Sequence, residues 1–201
     1  MLDLSDRLIV IIGGGAVAAR KAAGVLAADA REVRVVAPDL TAALPAGVTH
    51  IQERYEPRHL DGAGLVFAAT DSAEVNRSVV GDARAAGVLV SRVDVDESDA
   101  GDFTVPAVLR RGEITVAVSA SGAPALAATV RDYFDLALDD RWTKLAAATQ
   151  SLRPLIVARI ADLTRRRDAL RDLASNAALV LVDRGEEPLR DWLAARYPEL
   201  K

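Results

Sequence analysis

The stretch Arg7–Ala28, RLIVIIGGGAVAARKAAGVLAA, constrains this chain more than any other. Five apolar residues, Leu8–Ile12, run into three glycines, and a small-residue segment opens at Ala16. A continuous apolar run closed by glycine reads as a strand buried on both faces, the kind found in parallel sheets. The segment Ala16–Ala28 reads as the helix that follows. Gly13-Gly14-Gly15-Ala16-Val17-Ala18 fits G-x-G-x-x-A at that strand-to-helix turn. Glycine permits the tight turn and lets backbone approach a pyrophosphate. The helix N-terminus offers free N–H groups and partial positive charge, and Ala18 lets helix and strand pack closely. A bound dinucleotide is therefore expected at Gly13, Gly14 and Gly15; the duller reading is a plain turn.

Alternation continues downstream. Val33–Ala37 reads as a strand stopped by Pro38, which lacks an N–H. A weak strand falls near Val48–Gln52 within an otherwise irregular Thr41–Glu56, and a buried strand at Leu65–Ala69. Thr70-Asp71-Ser72 offers N-caps for a helix over about Ala73–Ala86, Gly87 ends it, and Val88–Val90 is the next strand. This spells an α/β fold, a Rossmann-like doubly wound parallel sheet. Carboxyl ends of such strands line the ligand crevice, so Thr70 and Asp71 either face a cofactor or only cap the helix. At the second strand end, Ala37 and Pro38 stand where an NAD site usually has its ribose acid, and Asp39 comes late. No arginine stands there for a 2′-phosphate, which favours NAD over NADP without deciding it.

The pattern changes after Asp94. DVDESDAGD is an acidic loop that lacks the full D-x-[DN]-x-[DN]-G-x5-E calcium pattern. FTVPAVLRRGEITVAVS then reads as two strands joined by Arg110-Arg111-Gly112-Glu113. Helices are expected over about Ala125–Leu138, Arg141–Gln150, Pro154–Ala174 and Pro188–Arg196. The expected domains are 1–100, a dinucleotide-binding unit; 101–135, the hairpin region; and 136–201, helical. Net charge of −4 argues against nucleic-acid and membrane-surface binding. With no cysteine there is no thiolate metal site or Cys nucleophile, and His50 and His59 alone cannot make a His-rich site, so no metal site is expected. Met1 is followed by Leu2-Asp3-Leu4-Ser5-Asp6 rather than a basic region, and no apolar run reaches the roughly 18 residues of a membrane span. The expectation is a cytoplasmic protein.

Five segments occur together in order: IIGGGAVAARKA, VVAPDL, LVFAATDSAEVNRSV, FTVPAVLRRGEITVAVS and GAPALAATVRD. In these the chain resembles the precorrin-2 dehydrogenase / sirohydrochlorin ferrochelatase family, closely over about residues 1–135. The resemblance implies a tetrapyrrole substrate, precorrin-2, bearing eight carboxylates. NAD+ takes a hydride from it to give sirohydrochlorin, and bifunctional members then insert Fe2+. It also implies a homodimer with its interface after the nucleotide unit. The family's cofactor positions map onto Ala16 and Val17, and onto Ala37 and Pro38, through backbone atoms. Its key aspartate, a proton acceptor, falls at Asp94 counting forward from Asn76 and at Asp96 counting back from Phe103. The strand leading into it favours Asp94.

Two departures stand out. The family's Asn-Val before the aspartate is Ser91-Arg92 here, and arginine there either weakens the base or clamps a substrate carboxylate. The usual Ser-x-Gly-Gly-x-Ser-Pro is shortened to Ser119-Ala120-Ser121-Gly122-Ala123-Pro124, without its second serine. Ser119 remains at a strand end. A polyanionic substrate needs local positive charge, for which Arg20, Lys21, Arg92, Arg110, Arg111 and Arg131 are the candidates; each alone also reads as a solvated charge. The expected function is NAD-dependent dehydrogenation of precorrin-2, with Fe2+ insertion open. The alternatives are another substrate for the same chemistry, or a module that binds nucleotide or tetrapyrrole without catalysis.

Overall fold

The computed structural model describes residues 2–93 and 99–201. They fall into two compact units, one ending at Val105 and one running from Pro106 to Lys201. The expected regions 101–135 and 136–201 thus lie mostly within a single unit.

The first unit is a five-stranded parallel sheet, ordered β3-β2-β1-β4-β5. The strands are β1 (Leu8–Ile12), β2 (Glu32–Val36), β3 (Val48–Ile51), β4 (Ala63–Ala68) and β5 (Leu89–Arg92). Helix α1 (Ala16–Leu26) follows β1, and α2 (Ala73–Ala85) joins β4 to β5. Period-two alternation sorts β1 onto two cores. Ile9 and Ile11 pack with Ala18, Ala22 and Val25 of α1. Leu8, Val10 and Ile12 pack with Val79, Val80 and Ala83 of α2. Helices on both faces explain why β1 is apolar throughout and fully buried.

The end of β5 differs from expectation. β5 runs on through Ser91 and Arg92, which pair with Phe67 and Ala68 of β4. Polarity suggested an earlier end, but the ladder satisfies the backbone regardless of side chain. A 3-10 turn at Pro57–Leu60 lies in the stretch before β4. There His59 is buried, accepts from the Glu56 N–H at Nδ1 and donates from Nε2 to Glu53 at 3.0 Å.

The second unit opens with an antiparallel hairpin, β6 (Ala107–Arg111) and β7 (Ile114–Val118), against which α3 (Pro124–Ala137) packs. Helices α4 (Asp140–Arg159), α5 (Leu163–Leu173), α6 (Asn176–Leu181) and α7 (Glu186–Arg196) surround a core including Leu145, Leu152, Ile156, Leu173, Leu189 and Leu193. The expected break between Gln150 and Pro154 is absent. Helix α4 continues through Pro154 to Arg159 because Leu145, Ala148, Leu152 and Ile156 form one buried stripe across it. Packing on that stripe offsets the ~3 kcal/mol cost of an interior proline. The helix stops instead before Asp162, whose carboxylate accepts from the Arg165 N–H at 2.8 Å and starts α5. The sequence reading had no separate α6, which begins at the Ser175 cap. Among the described residues no helix is long and apolar enough to cross a membrane.

Candidate active site at the carboxyl ends of the strands

The order β3-β2-β1-β4-β5 places a topological switch point between β1 and β4. There the chain leaves β1 toward one side of the sheet and β4 toward the other, opening a crevice. Two loops meet at it. Gly13 has φ +128°, and a Cβ there would lie 2.3 Å from the Ala69 carbonyl oxygen after β4. The first loop is therefore pressed backbone-to-backbone against the second. A Cβ on Gly14 would lie 2.1 Å from the Asp39 carbonyl oxygen, beyond β2. The Gly14 carbonyl in turn accepts from the Thr41 N–H at 2.9 Å.

Gly15 differs from both. A Cβ there would meet only the Thr41 hydroxyl, at 3.7 Å, so the space beside it is open. It is the N-cap of α1, yet no side chain caps the helix and the first turn carries no acid. Ala18 is fully buried beneath it. An approachable backbone, an uncapped helix end and no acid in the first turn fit a dinucleotide pyrophosphate. Ala16 is exposed and Val17 half-buried on this first turn.

At the end of β2, Ala37 is buried and Pro38 and Asp39 are exposed. The Ala37 N–H donates to the Ile51 carbonyl at 3.1 Å, and its carbonyl accepts from His50 Nε2 at 2.9 Å. This histidine contact, absent from the sequence reading, depends on β2–β3 register and leaves no local signal.

The turn after β4 is organised by Asn76, which is fully buried. Its Oδ1 accepts from the Thr70 N–H at 3.1 Å and the Thr70 hydroxyl at 2.7 Å, and its Nδ2 donates to the Thr70 carbonyl at 3.0 Å. Thr70 is thus tied inward, building the turn, while Asp71 is exposed. Ser72, not Thr70 or Asp71, caps α2 by accepting from the Val75 N–H. An asparagine one turn inside a helix after a Thr-Asp-Ser cap was the available signal for this clamp.

Arg92 is buried at the end of β5. Asp94 and Asp96 lie outside the described residues. The segment beyond them is held by Arg84, whose two terminal nitrogens each donate to Asp99 at 2.9 Å and whose Nε donates to Asp102 at 3.0 Å. The Arg84 guanidinium, joined by the Gly101 N–H, holds the Asp99 carboxyl below its usual range. Asp102 also accepts from the Val90 N–H at 3.1 Å. Two carboxylates of the acidic loop therefore serve its anchoring.

In the second unit, Arg111 donates to Asp135 at 2.9 Å and to the Leu138 carbonyl at 2.9 Å, closing the C-terminal end of α3. Arg110 is exposed on the hairpin, and Ser119 is exposed just after β7. Ser121 has φ +36°, and Ala123 is the N-cap of α3 with no side-chain bond. Among the described residues no group of three or more His, Asp or Glu could hold a metal ion.

A family model described as "Putative NAD(P)-binding" matches residues 1–107. The chain is 39% identical over 172 residues to a siroheme synthase of Chromobacterium violaceum, a match covering 83% of this chain and 36% of that protein. A siroheme synthase of Photobacterium profundum is 35% identical over 191 residues, covering 92% and 40%. The chain thus spans about two-fifths or less of these relatives' length. The solved structure of "SirC, precorrin-2 dehydrogenase" matches the fold with a TM-score of 0.74 at 21% identity, covering 97% of this chain and 98% of that one.

Proposed function

We propose, from the premise that this chain belongs to the NAD(P)-binding family matched over residues 1–107, that it dehydrogenates precorrin-2 to sirohydrochlorin with NAD+. The observation that carries the reading is the open, uncapped turn at Gly15, beside two glycines that are packed shut. Similarity to siroheme synthases across most of the chain supports the tetrapyrrole substrate.

Gly13–Gly15 and the first turn of α1 would hold the pyrophosphate, with Ala16 and Val17 beside it. Ala37 and Pro38 would flank the adenosine end, and the exposed Asp39, with no basic neighbour in sequence, supports NAD over NADP. The Asn76 clamp holds Thr70 in the turn after β4, where Thr70 and Asp71 would face the cofactor. Bound NAD+ supplies the hydride acceptor. Dehydrogenation removes a hydride and a proton from the substrate, and the proton goes to the Asp94 carboxylate, with Asp96 as the second choice. Arg92 is the substrate-facing cation of this reading. Arg111 is bound to Asp135 and the Leu138 carbonyl; Arg110, Arg111 and Ser119 are the hairpin's proposed substrate contacts.

A second copy of the chain is proposed to cover the hairpin and α3. Leu126, Tyr133, Phe134 and Leu136 of α3 and Val108 of β6 are 56, 70, 40, 88 and 40% exposed, a large apolar display for one small unit.

The test is anaerobic incubation with precorrin-2 and NAD+, followed by absorbance. Sirohydrochlorin should form with wild type and fall at least 100-fold in rate with Asp94→Ala, consistent with loss of a general base. Fe2+ added afterwards tests metal insertion against the rate without protein. Tight NAD+ binding with no sirohydrochlorin would favour a different substrate.

A further inference from the structure

Lys21 interrupts the apolar face of α1. Ala18, Ala22 and Val25 form its buried stripe at i, i+4 and i+7, and Lys21 takes the i+3 position of the same stripe. The alanines on that stripe leave room for its stem. The side chain reaches from α1 to β4 on the far side of the switch point, with Nζ 5.4 Å from the centre of the Phe67 ring. Phe67 is the next-to-last residue of β4, is buried, and meets Phe103 edge-on at 5.5 Å. Among the described residues no carboxylate pairs with Lys21, and the salt-bridged cations of this unit are arginines and a histidine. Burial, with the Arg20 charge beside it, holds the ammonium below its usual lysine range. A ring face stabilises such a cation by only ~0.5–2 kcal/mol. Lysine stems commonly cover apolar surface with the head in water. Here the head is drawn across the sheet to the carboxyl end of β4, and no carboxylate among the described residues pairs with it.

We propose that Lys21 is a specificity-determining residue of the site, pairing its ammonium with a carboxylate of the substrate at the β1–β4 switch point. The inference rests on the proposed function and names the part of the chain that reads the substrate's negative charge. A dinucleotide phosphate is the rival anion.

The probe is uroporphyrin, a stable porphyrin with eight carboxylates, titrated by fluorescence quenching; NAD+ is titrated in parallel by calorimetry. Lys21→Met keeps the stem over Phe67 and removes the charge. It should bind uroporphyrin about tenfold more weakly, as for loss of one charge-assisted contact. NAD+ affinity should not change, and the melting temperature should not fall. Lys21→Arg should recover most of the porphyrin affinity, and Lys21→Gln repeats the comparison if Lys21→Met does not fold. Equal porphyrin affinity in wild type and variant, or no porphyrin binding by wild type, would overturn the proposal. So would a loss confined to NAD+, which assigns the lysine to phosphate. Wild type that oxidises precorrin-2 with a KM indifferent to Lys21→Met sinks this inference alone. Lys21-dependent porphyrin binding without oxidation sinks the functional reading and leaves the lysine's role standing.

Discussion

At the scale of single residues, three neighbouring glycines have three different reasons to be glycine. Gly13 combines a left-handed φ with a carbonyl where its Cβ would be, and Gly14 meets a second carbonyl. Gly15 has φ −93°, which any residue adopts, and open space. Gly13→Ala should therefore cost more than ~2 kcal/mol of stability, since strain and overlap add. Gly15→Ala should melt near wild type yet bind NAD+ at least about tenfold more weakly, because its methyl occupies the space the pyrophosphate approaches. Thermal melts beside NAD+ titrations read both; a Gly15→Ala protein with unchanged NAD+ affinity would remove the turn from the site. The triple glycine was legible as a motif. Which glycine faces a ligand was not, because the Ala69 and Asp39 carbonyls that decide it lie far along the chain.

Elements are held by contacts that polarity patterns miss. In sequence the acidic loop offers the family's aspartate at Asp94 or Asp96, whereas Asp99 and Asp102 tie its far end to α2 through Arg84. The Asp99 value is lowered in the folded chain. Its pairing therefore stabilises the fold above its ordinary value of 3.8 and is lost as pH falls below it. Hydrogen-exchange protection of Gly101, whose N–H donates to Asp99, should hold at neutral pH and decline below about pH 4. Arg84→Ala should reduce that protection at pH 7 and flatten its pH dependence; added salt should act in the same direction. Protection that ignores both pH and the variant would show the loop to be held by its backbone ladder alone. In α4 the same lesson concerns proline: residue 154 suggested a helix start, and a buried stripe carried the helix through it.

The whole molecule shows two units, each with its own core and each legible to a different degree. Replacing Tyr133 and Leu136 together by glutamate should halve the sedimentation mass of the proposed dimer and leave its helical signal unchanged. A wild-type protein that sediments as a monomer at micromolar concentration would refute the dimer. The amino-acid sequence by itself determined the alternating strands and helices, the glycine turn and the position of the hairpin. Those signals are local: apolar period, caps and breakers act within a few residues. Only the tertiary structure decided that α4 passes Pro154, that Ser91 and Arg92 belong to β5, and that Asn76 rather than a carboxylate holds the turn after β4. It likewise decided which charged side chains anchor the fold and which lysine has no carboxylate partner among the described residues. Each of these depends on groups brought together by sheet register and helix packing, where burial sets the energy and sequence distance carries no information.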